Sequence, residues 1–265
     1  MTKPAAHREA VRLSIVIPVF NEADNVLPLL DEVAAAVAGL GPAEVVFVDD
    51  GSDDATVERL QSRLNGGAFK PPAEPGDGLR LRVVRHLRRS GQSAAVRTGV
   101  KAALGPWIAT LDGDGQNDPA DIPSLLSVVD SGCAKDQPGV GPALVGGVRA
   151  RRRDTLSKRL ASRCANRLRQ ALLRDGAVDT GCGLKLFRRD AFLELPFFGA
   201  MHRFLPALFL MHGHRVTYVP VNHRPRRQGV SKYGNLRRAL IGLVDLLGVF
   251  WLKCRTPMPA PWAEL

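Results

Sequence analysis

LSIVIPVF, residues Leu13–Phe20, and EVVFVDD, residues Glu44–Asp50, decide the fold of this chain. Each is a nearly continuous run of apolar residues, which is typical of a strand buried on both faces of a parallel sheet. Between them, Asp24–Ala38 has the residue types and the spacing of a helix. A strand, a helix and a second strand in this order predict two parallel strands joined by a crossover helix, the repeating unit of α/β folds.

The same alternation continues through the first half of the chain. A helix is predicted over Ser52–Leu64, with Ser52 or Asp53 as its N-cap. The further predicted strands are Leu81–Leu87, Trp107–Asp112 and Ala143–Val148, and the further predicted helices are Gln92–Leu104 and Pro119–Asp130. The sequence therefore predicts an α/β fold with a Rossmann-like, mostly parallel central sheet and helices on both faces.

The second half of the chain is more basic than the first. Arg149–Arg174 contains ten Lys and Arg residues, and Arg224–Arg238 contains six and no acid. Thr155–Leu173 is predicted to be an amphipathic helix with a basic face and a leucine face. The remaining predicted elements are a strand at Gly183–Phe187, a helix near His202–Met211, a strand at Val216–Val221 and a C-terminal apolar helix at Leu236–Leu252. We expect one domain over residues 12–235, followed at 236–265 by that helix and a Pro-rich tail.

The composition limits the classes of protein to which the chain can belong. Its 265 residues carry 37 Lys and Arg against 26 Asp and Glu, a net charge of +11, which predicts an anionic partner: nucleic acid, an anionic membrane or a phosphorylated substrate. Aromatic residues make up only 6%, so we do not expect nucleic acid. The four cysteines form no CxxC pair, and the sequence shows neither a secretory signal nor a long apolar run. We therefore expect a cytosolic chain without a zinc site or a spanning helix.

Polar and acidic residues directly follow three of the predicted strands. They are Asn21 and Glu22 after the first strand, Asp49-Asp50-Gly51-Ser52 at the second, and Asp112-Gly113-Asp114-Gly115-Gln116 at the fourth. The carboxyl ends of parallel strands meet at one edge of a sheet, and ligands bind there. Carboxylates two residues apart at a glycine-rich turn are able to share one Mg²⁺ or Mn²⁺ ion, whose remaining ligands are substrate phosphates. The alternative is a merely polar turn, and three clusters at one edge weaken that alternative.

A basic loop complements these acidic clusters. Arg226 and Lys232 lie in RRQGVSKYG, where Gly229 and Gly234 allow a close approach to a ligand. Arg binds phosphate as a fork and Lys binds it as a point charge, so the pair suits a diphosphate whose charge a metal neutralises only in part. A solvated basic turn is the alternative interpretation of the same residues.

Five segments of the chain together resemble a known family. SIVIPVFNEADNV, VFVDDGSDDAT, ATLDGDGQNDP, DTGCGLKLFRRD and HRPRRQGVSKYG occur in the order found in family 2 glycosyltransferases of the GT-A fold, over about residues 12–240. They are most similar to the branch that contains dolichol-phosphate mannosyltransferases and bacterial polyprenyl-phosphate glycosyltransferases. The resemblance implies a metal-dependent, inverting transfer of a hexose from GDP-mannose or a UDP-sugar to a polyprenyl phosphate, such as dolichyl or undecaprenyl phosphate.

The resemblance also implies a role for each residue that matches a family motif. The implied nucleotide-sugar contacts are Pro18, Phe20, Asn21, Glu22, Asp49, Asp50, Gly113, Ser231 and Lys232. The implied catalytic residues are Asp112, Asp114, Gln116 and Arg226, of which the first three are the implied ligands of Mg²⁺ or Mn²⁺. The implied contacts to the acceptor phosphate are Arg149, Ser157 and Arg163. Phe20 and Cys182 stand where the family more often has Tyr and Ser, and we expect Cys182 to be a buried packing thiol.

A phosphate acceptor does not need a general base. A phosphate monoester is already largely ionised at neutral pH, because its second pKa is about 6. The protein then has to position the acceptor oxyanion and stabilise the leaving diphosphate. Asp179 is kept as a reserve candidate for a base, because it lies just before the TGCG motif.

The basic helix and the C-terminal helix predict contact with an anionic membrane surface. A lipid acceptor would enter from the bilayer with its phosphate on Thr155–Leu173, and Leu236–Leu252 is expected either beside that helix at the interface or in the core. Many relatives continue into transmembrane helices and this chain stops short of them. We therefore expect a peripheral protein on the inner face of the cytoplasmic membrane, or one that relies on a membrane-protein partner.

Three alternatives stay open. The first is a family 2 transferase that uses a carbohydrate hydroxyl acceptor in cell-envelope polysaccharide synthesis, and the basic helix argues against it. The second is a nucleic-acid-binding protein, which leaves the acidic clusters unexplained because they repel phosphate in the absence of metal. The third is a degenerate transferase retained as a scaffold, against which the intact DGDGQ and SKY motifs speak.

Overall fold

A computed structural model describes residues 11–66, 79–133, 141–149, 167–225 and 235–257 of the chain. The first half alternates strands and helices. Its strands are β1 (Leu13–Val19), β2 (Ala43–Asp49), β3 (Leu79–Arg85) and β4 (Trp107–Thr110), and its helices are α1 (Ala23–Val37), α2 (Thr56–Asn65), α3 (Gln92–Ala102) and α4 (Ile122–Cys133). A short 3₁₀ helix, Pro119–Asp121, leads into α4.

The second half contains shorter elements and ends in a long helix. Its strands are β5 (Leu144–Arg149), β6 (Lys185–Arg188) and β7 (Val216–Val221). Its helices are α5 (described over residues 167–173), α6 (Arg189–Glu194), α7 (Leu205–Met211) and α8 (Asn235–Arg255), with a 3₁₀ turn at Met201–Arg203. The remainder of the predicted helix Thr155–Leu173 lies outside the described residues.

The seven described strands form one sheet in the order β3-β2-β1-β4-β6-β5-β7. β1, β2, β3 and β4 are parallel to one another, and β5 is parallel to β7. β6 lies between β4 and β5 and is antiparallel to both. The predicted α/β fold with a mostly parallel sheet is thus confirmed, and the carboxyl ends of β1, β2 and β4 lie side by side at one edge.

Two apolar clusters cover the two faces of the sheet. Ile15 and Ile17 of β1 belong to the cluster that α1 and α4 cover, whereas Val16 belongs to the cluster that α3, α6, α7 and α8 cover. Neighbouring residues of one strand point to opposite faces, so an apolar run such as LSIVIPV is buried on both sides. The prediction of helices on both faces is confirmed.

The predicted start of the second helix is wrong. α2 begins at Thr56, and its N-cap residue Ala55 makes no side-chain capping bond. The hydroxyl of Ser52 accepts a hydrogen bond from the backbone N–H of Asn21 instead, at 2.9 Å, and Asp54 accepts from the N–H of Thr56 at 2.9 Å. Ser52 therefore forms a hydrogen bond with the loop after β1, and Asp54 forms one within its own loop. Neither caps the helix at the predicted position.

The C-terminal helix exists, and its boundaries, Asn235–Arg255, lie close to the predicted ones. Leu246 and Val249 pack into the core beneath it. Lys253 donates hydrogen bonds to the carbonyl oxygens of Leu172 and Leu173, which joins α8 to α5. Among the described residues, none of the helices combines the length and the apolar character that crossing a bilayer requires.

Candidate active site

The loops after β1 and β2 are tied together at the sheet edge. Asn21 has a positive φ of 55°, a backbone conformation that Asn tolerates better than most residues. Its side-chain amide donates to Asp53 Oδ1 at 2.6 Å, and its Oδ1 accepts from the backbone N–H of Asp53 at 3.1 Å. The backbone N–H of Glu22 donates to Thr56 Oγ1 at 2.9 Å. Two of the implied nucleotide contacts therefore also hold one loop against the other.

Asp49 and Asp50, at the end of β2, are buried and hydrogen-bonded. Asp49 accepts from the N–H of Ser52 at 3.2 Å and pairs with Arg85, with Nε and Oδ2 3.3 Å apart. Asp50 lies against the turn that precedes α3. It accepts from the backbone N–H groups of Ser90 and Gly91, at 2.8 and 2.7 Å, and contacts the ring of His86 at 2.8 Å. Asp50 therefore holds the loop at 86–91 against the end of β2. This is the edge of the sheet to which the resemblance assigns the nucleotide.

Phe20 and Pro18 border the same edge. The guanidinium of Arg89 lies over the ring of Phe20, 4.1 Å from its centroid, which is a cation–π geometry. The carbonyl oxygen of Pro18 would lie 3.0 Å from a Cβ atom added at Gly113, and Val19 Cγ1 would lie at 2.7 Å. The turn after β4 therefore packs so closely on β1 that only glycine fits at position 113.

The acidic turn Asp112-Gly113-Asp114 follows β4 at the centre of this edge. Gln92, the first residue of α3, donates from Nε2 to Asp112 Oδ1 at 2.8 Å. Asp114 accepts from the backbone N–H of Gln116 at 3.1 Å. Asp112, Asp114 and Gln116 thus lie on the turn that follows β4.

The carboxylates of Asp112 and Asp114 are close enough to repel each other. Burial, followed by the negative charge of Asp114, raises the pKa of Asp112 to about 6. The positive charges of Lys185 and Arg149 and the bond from Gln92 act in the opposite direction. Lys185 is itself buried, which lowers its pKa, and it donates to the carbonyl oxygen of Cys182. A shared cation would relieve the repulsion between the two carboxylates.

Arg149 and Asp179 form a bidentate ion pair on the β5 side of the edge. Arg149 Nε and Asp179 Oδ2 lie 2.5 Å apart, and Nη2 and Oδ1 lie 2.7 Å apart. The hydrogen bonds that Arg149 donates to Asp179 raise the pKa of the guanidinium. The implied acceptor-phosphate contact and the reserve candidate for a base are therefore partners of each other. Sequence reasoning missed this pairing because 30 positions separate the two residues.

Cys182 is buried, with 1% of its surface exposed, and burial raises the pKa of its thiol. Its sulfur lies 3.8 Å from Asn117 Nδ2 and would lie 3.0 Å from a Cβ atom added at Gly147. The prediction of a buried packing thiol is confirmed.

Five predicted site residues lie outside the described part of the chain: Arg226, Ser231 and Lys232, and Ser157 and Arg163. The chain that leads into the first group is anchored beside the acidic turn. The backbone N–H of Arg224 donates to the carbonyl oxygen of Gln116 at 2.9 Å, and its guanidinium pairs with Glu32 at 2.7 Å and with Asp118 at 2.5 Å. Arg224, two residues before the first of them, therefore lies next to Gln116.

Sequence reasoning missed Gln92, Lys185 and His202 as members of this region. Gln92 carried one signal, since it directly follows Gly91 at a predicted helix start. Lys185 carried another, because it is a charged residue inside the apolar strand GLKLF. His202 carried none, and its hydrogen bonds to Ser93 depend on how the elements pack.

A mostly parallel sheet with acidic turns at the carboxyl edge of its strands is an α/β architecture that places ligand-binding residues at that edge. The sequence model of glycosyl transferase family 2 matches residues 14–195. The chain belongs to this family and is a glycosyltransferase.

Two curated relatives share most of the chain. A dodecaprenyl-phosphate galacturonate synthase of Rhizobium johnstonii is 36% identical over 247 residues, which cover 92% of this chain and 68% of that protein. An undecaprenyl-phosphate 4-deoxy-4-formamido-L-arabinose transferase of Yersinia enterocolitica is 34% identical over 250 residues, which cover 94% of this chain and 68% of that protein.

A solved structure shares the fold. Glucosyl-3-phosphoglycerate synthase from Mycobacterium tuberculosis, in complex with Mg²⁺ and UDP, superposes with a TM-score of 0.64 over 93% of this chain and 80% of that one. The sequence identity is 18%, so this likeness concerns the fold alone.

Proposed function

We propose that this chain transfers a sugar from a nucleoside diphosphate to a polyprenyl phosphate, with inversion at the anomeric carbon. The observation that carries the proposal is the turn Asp112-Gly113-Asp114 at the carboxyl edge of the sheet, beside the cations Lys185 and Arg149. The similarity to two transferases named for polyprenyl phosphates, over more than nine tenths of this chain, supports the acceptor class.

A divalent cation fits the donor set of the acidic turn. Asp112 and Asp114 supply carboxylate oxygens two residues apart, and Gln116 follows on the same turn. Within the described ranges, no three His, Cys, Asp or Glu side chains are grouped so as to hold a metal. Mg²⁺ and Mn²⁺ accept such an incomplete protein set, because substrate phosphates and water fill the other positions. When bound, the cation would neutralise negative charge on the leaving diphosphate.

The acceptor phosphate is the nucleophile in this proposal. One of its ionised oxygens forms the new bond to the anomeric carbon as the bond from that carbon to the diphosphate oxygen breaks, and the bonding pair leaves with the nucleoside diphosphate. No proton has to be removed. Both carboxylate oxygens of Asp179 already accept hydrogen bonds from the guanidinium of Arg149. This pairing supports a base-free route, in which no residue acts as a general base.

Arg149 is the described candidate for contact with the acceptor phosphate. It lies at the end of β5, and its charge acts on Asp112. Asp179 holds the plane of the guanidinium, which reduces the rotamer freedom that Arg149 would lose when it binds a phosphate. We propose Ser157 and Arg163 as further acceptor contacts, and Arg226, Ser231 and Lys232 as contacts to the diphosphate.

We further propose that α8 lies at the surface of an anionic membrane, on the inner face of the cytoplasmic membrane. The support is an apolar stripe on the side of α8 that faces away from the core. Val244, Leu247 and Trp251 expose 68%, 53% and 62% of their surfaces, whereas Leu246 and Val249 are buried. Such a stripe suits the interface of a bilayer that contains the lipid acceptor.

The test is to incubate the enzyme with undecaprenyl phosphate, Mn²⁺ or Mg²⁺, and a panel of radiolabelled UDP- and GDP-sugars. We expect one donor to transfer its label into the organic extract. Asp114→Asn should reduce this transfer by about 100-fold or more, because it removes charge from the diphosphate site. Asp130→Asn is the matched control, because Asp130 is an exposed carboxylate on α4.

Two results would overturn the proposal. One is label that enters only a water-soluble carbohydrate, which is the outcome expected for the hydroxyl-acceptor alternative. The other is an equal loss of transfer in the Asp114 and Asp130 variants, which would separate the activity from the acidic turn.

A further inference from the structure

The order of the strands sets a direction along the candidate site. Asp50 follows β2, Asp112 follows β4, and Lys185 begins β6, which is the next strand in the sheet. If the nucleoside lies toward β2 and the diphosphate lies at the β4 turn, continuing in the same direction places the sugar toward β6. This step rests on the proposed function.

The first turn of α3 connects these positions. Asp50 accepts from the backbone N–H groups of Ser90 and Gly91. Gln92 donates to Asp112 at 2.8 Å, and the hydroxyl of Ser93 lies 2.7 Å from His202 Nδ1. Two consecutive side chains of one helix therefore hold the acidic turn and an imidazole. His202 is brought to the first turn of α3 from 109 positions away in the sequence.

The charge of Lys185 acts on both the acidic turn and the imidazole of His202. Lys185 lowers the pKa of Asp112, and it also lowers the pKa of His202. Burial is the largest cause of the shift at His202, whose pKa falls to about 3. His202 is therefore neutral at physiological pH.

The hydrogen bonds around Ser93 are compatible with the tautomer of His202 that carries its proton on Nε2. The backbone N–H of His202 donates to Ser93 Oγ at 3.3 Å, so the serine oxygen accepts there. The serine hydroxyl is able to donate to Nδ1 at 2.7 Å, and in that tautomer the ring proton is on Nε2. Within the described residues Nε2 makes no hydrogen bond, and the side chain is partly exposed.

We propose that His202 contacts the transferred sugar: its Nε2–H donates a hydrogen bond to an oxygen substituent of the donor sugar and so helps to select that sugar. Ser93 is the positioning residue that orients the ring. A neutral donor held in one orientation recognises an oxygen without adding charge beside the metal and phosphate site. A site that forms a hydrogen bond with one oxygen of the sugar discriminates against nucleotide sugars in which this oxygen is placed elsewhere.

The experiment measures binding to the full-length protein of a nucleotide sugar and of its nucleoside diphosphate, by calorimetry, with no lipid acceptor. We expect His202→Phe to weaken binding of the nucleotide sugar about 10-fold, the effect of one lost hydrogen bond, and to leave the affinity for the nucleoside diphosphate unchanged. His202→Gln, which retains a donor, should recover part of the loss. Ser93→Ala should show a smaller loss of the same kind.

His212→Phe is the matched control. His212 also bonds through Nδ1, to the carbonyl oxygen of Leu208, but it lies at the C-terminal end of α7. This variant should leave both affinities unchanged.

The proposal is overturned if His202→Phe weakens nucleoside diphosphate and nucleotide sugar by the same factor, or weakens neither. If His202→Phe does not fold, an equal loss of both affinities in Ser93→Ala overturns it. Failure of the proposed function is a separate result, in which the wild-type enzyme binds nucleotide sugars but forms no lipid-linked product. The ratio of the two affinities in each variant still decides the role of His202 in that case.

Discussion

Two buried carboxylates, Asp50 in the parallel half of the sheet and Asp179 in the mixed half, are held by different kinds of donor. In the parallel half, the carboxylate of Asp50 accepts from the backbone N–H groups of Ser90 and Gly91. In the mixed half, Asp179 is held by the guanidinium of Arg149, and Asp175 by the guanidinium of Arg169. The donors to Asp50 are backbone N–H groups of the loop at 86–91, whereas the donors to Asp179 include the charged guanidinium of Arg149. The loss of one carboxylate therefore leaves a different group unpaired in each half.

The difference suits the two proposed substrates. A nucleotide sugar is a compact ligand, and the loops that would surround it are fixed to one another by hydrogen bonds such as those of Asn21 with Asp53. A lipid phosphate brings its own negative charge, and the mixed half offers Arg149 at the end of β5. Because an ion pair orients this arginine, a phosphate would meet a guanidinium that is already in place.

The largest effect is expected at Asp179. Asp179→Ala should lower the free energy of unfolding by about 3 kcal/mol, because Arg149 is left as a buried charge without its carboxylate. Urea unfolding followed by circular dichroism measures this change. Asp130→Ala, which breaks the exposed pair with Arg12, is the control and should cost less than about 0.5 kcal/mol.

Asp179 also distinguishes a structural role from a base. Asp179→Asn should retain turnover per folded molecule within about 10-fold, since a phosphate acceptor needs no base and general bases contribute about 100-fold or more. If this variant binds the donor normally but has no turnover, the base-free route is wrong.

A smaller effect is expected at Asp50. Asp50→Ala should cost about 2 kcal/mol, because the exposed loop that contains Ser90 allows water to reach its N–H groups once the carboxylate is gone. Hydrogen exchange of the Ser90 and Gly91 amides should become faster. A loss of stability larger than that of Asp179→Ala would contradict the contrast between the two halves.

The smallest effect is a dependence on pH that His202 introduces. Its pKa is about 3 in the folded protein and about 6.5 when unfolded, so the unfolded chain binds more protons between these values. The contribution to stability is complete above pH 6.5 and is lost as the pH falls toward 3. We expect the free energy of unfolding to fall by about 1 kcal/mol between pH 7 and pH 5. This is less than the two pKa values alone would give, because His202 is only half-buried.

Urea unfolding at the two pH values measures this loss. His202→Phe should remove it and leave the remaining pH dependence unchanged. The same slope in wild type and variant would mean that His202 titrates normally in the folded protein.

The parallel half was predictable from the sequence in most of its elements. Apolar runs such as Leu13–Val19 define buried strands locally, and the acidic residues Asp112 and Asp114 follow a strand directly. The predicted cap at Ser52 was wrong because its hydroxyl accepts from Asn21, a partner on another loop. Strand position is a local property of the chain, whereas the partner of a polar side chain is not.

The mixed half was less predictable. β6 was expected as a strand, but nothing in its four residues indicates that it lies antiparallel between β4 and β5. The ion pair of Arg149 with Asp179 and the contact of Ser93 with His202 join residues 30 and 109 positions apart. No periodicity marks such pairs.

By itself, the sequence determined the fold class, the family and the acidic turn at the sheet edge. Strands buried on both faces and turns can be predicted because both depend on residues that are neighbours in the sequence. Only the tertiary structure decided that Asp179 holds Arg149, that Gln92 reaches Asp112, and that Ser93 orients His202. The physical reason is that a buried polar group must find a partner wherever the packed elements place one, and that place depends on the whole fold.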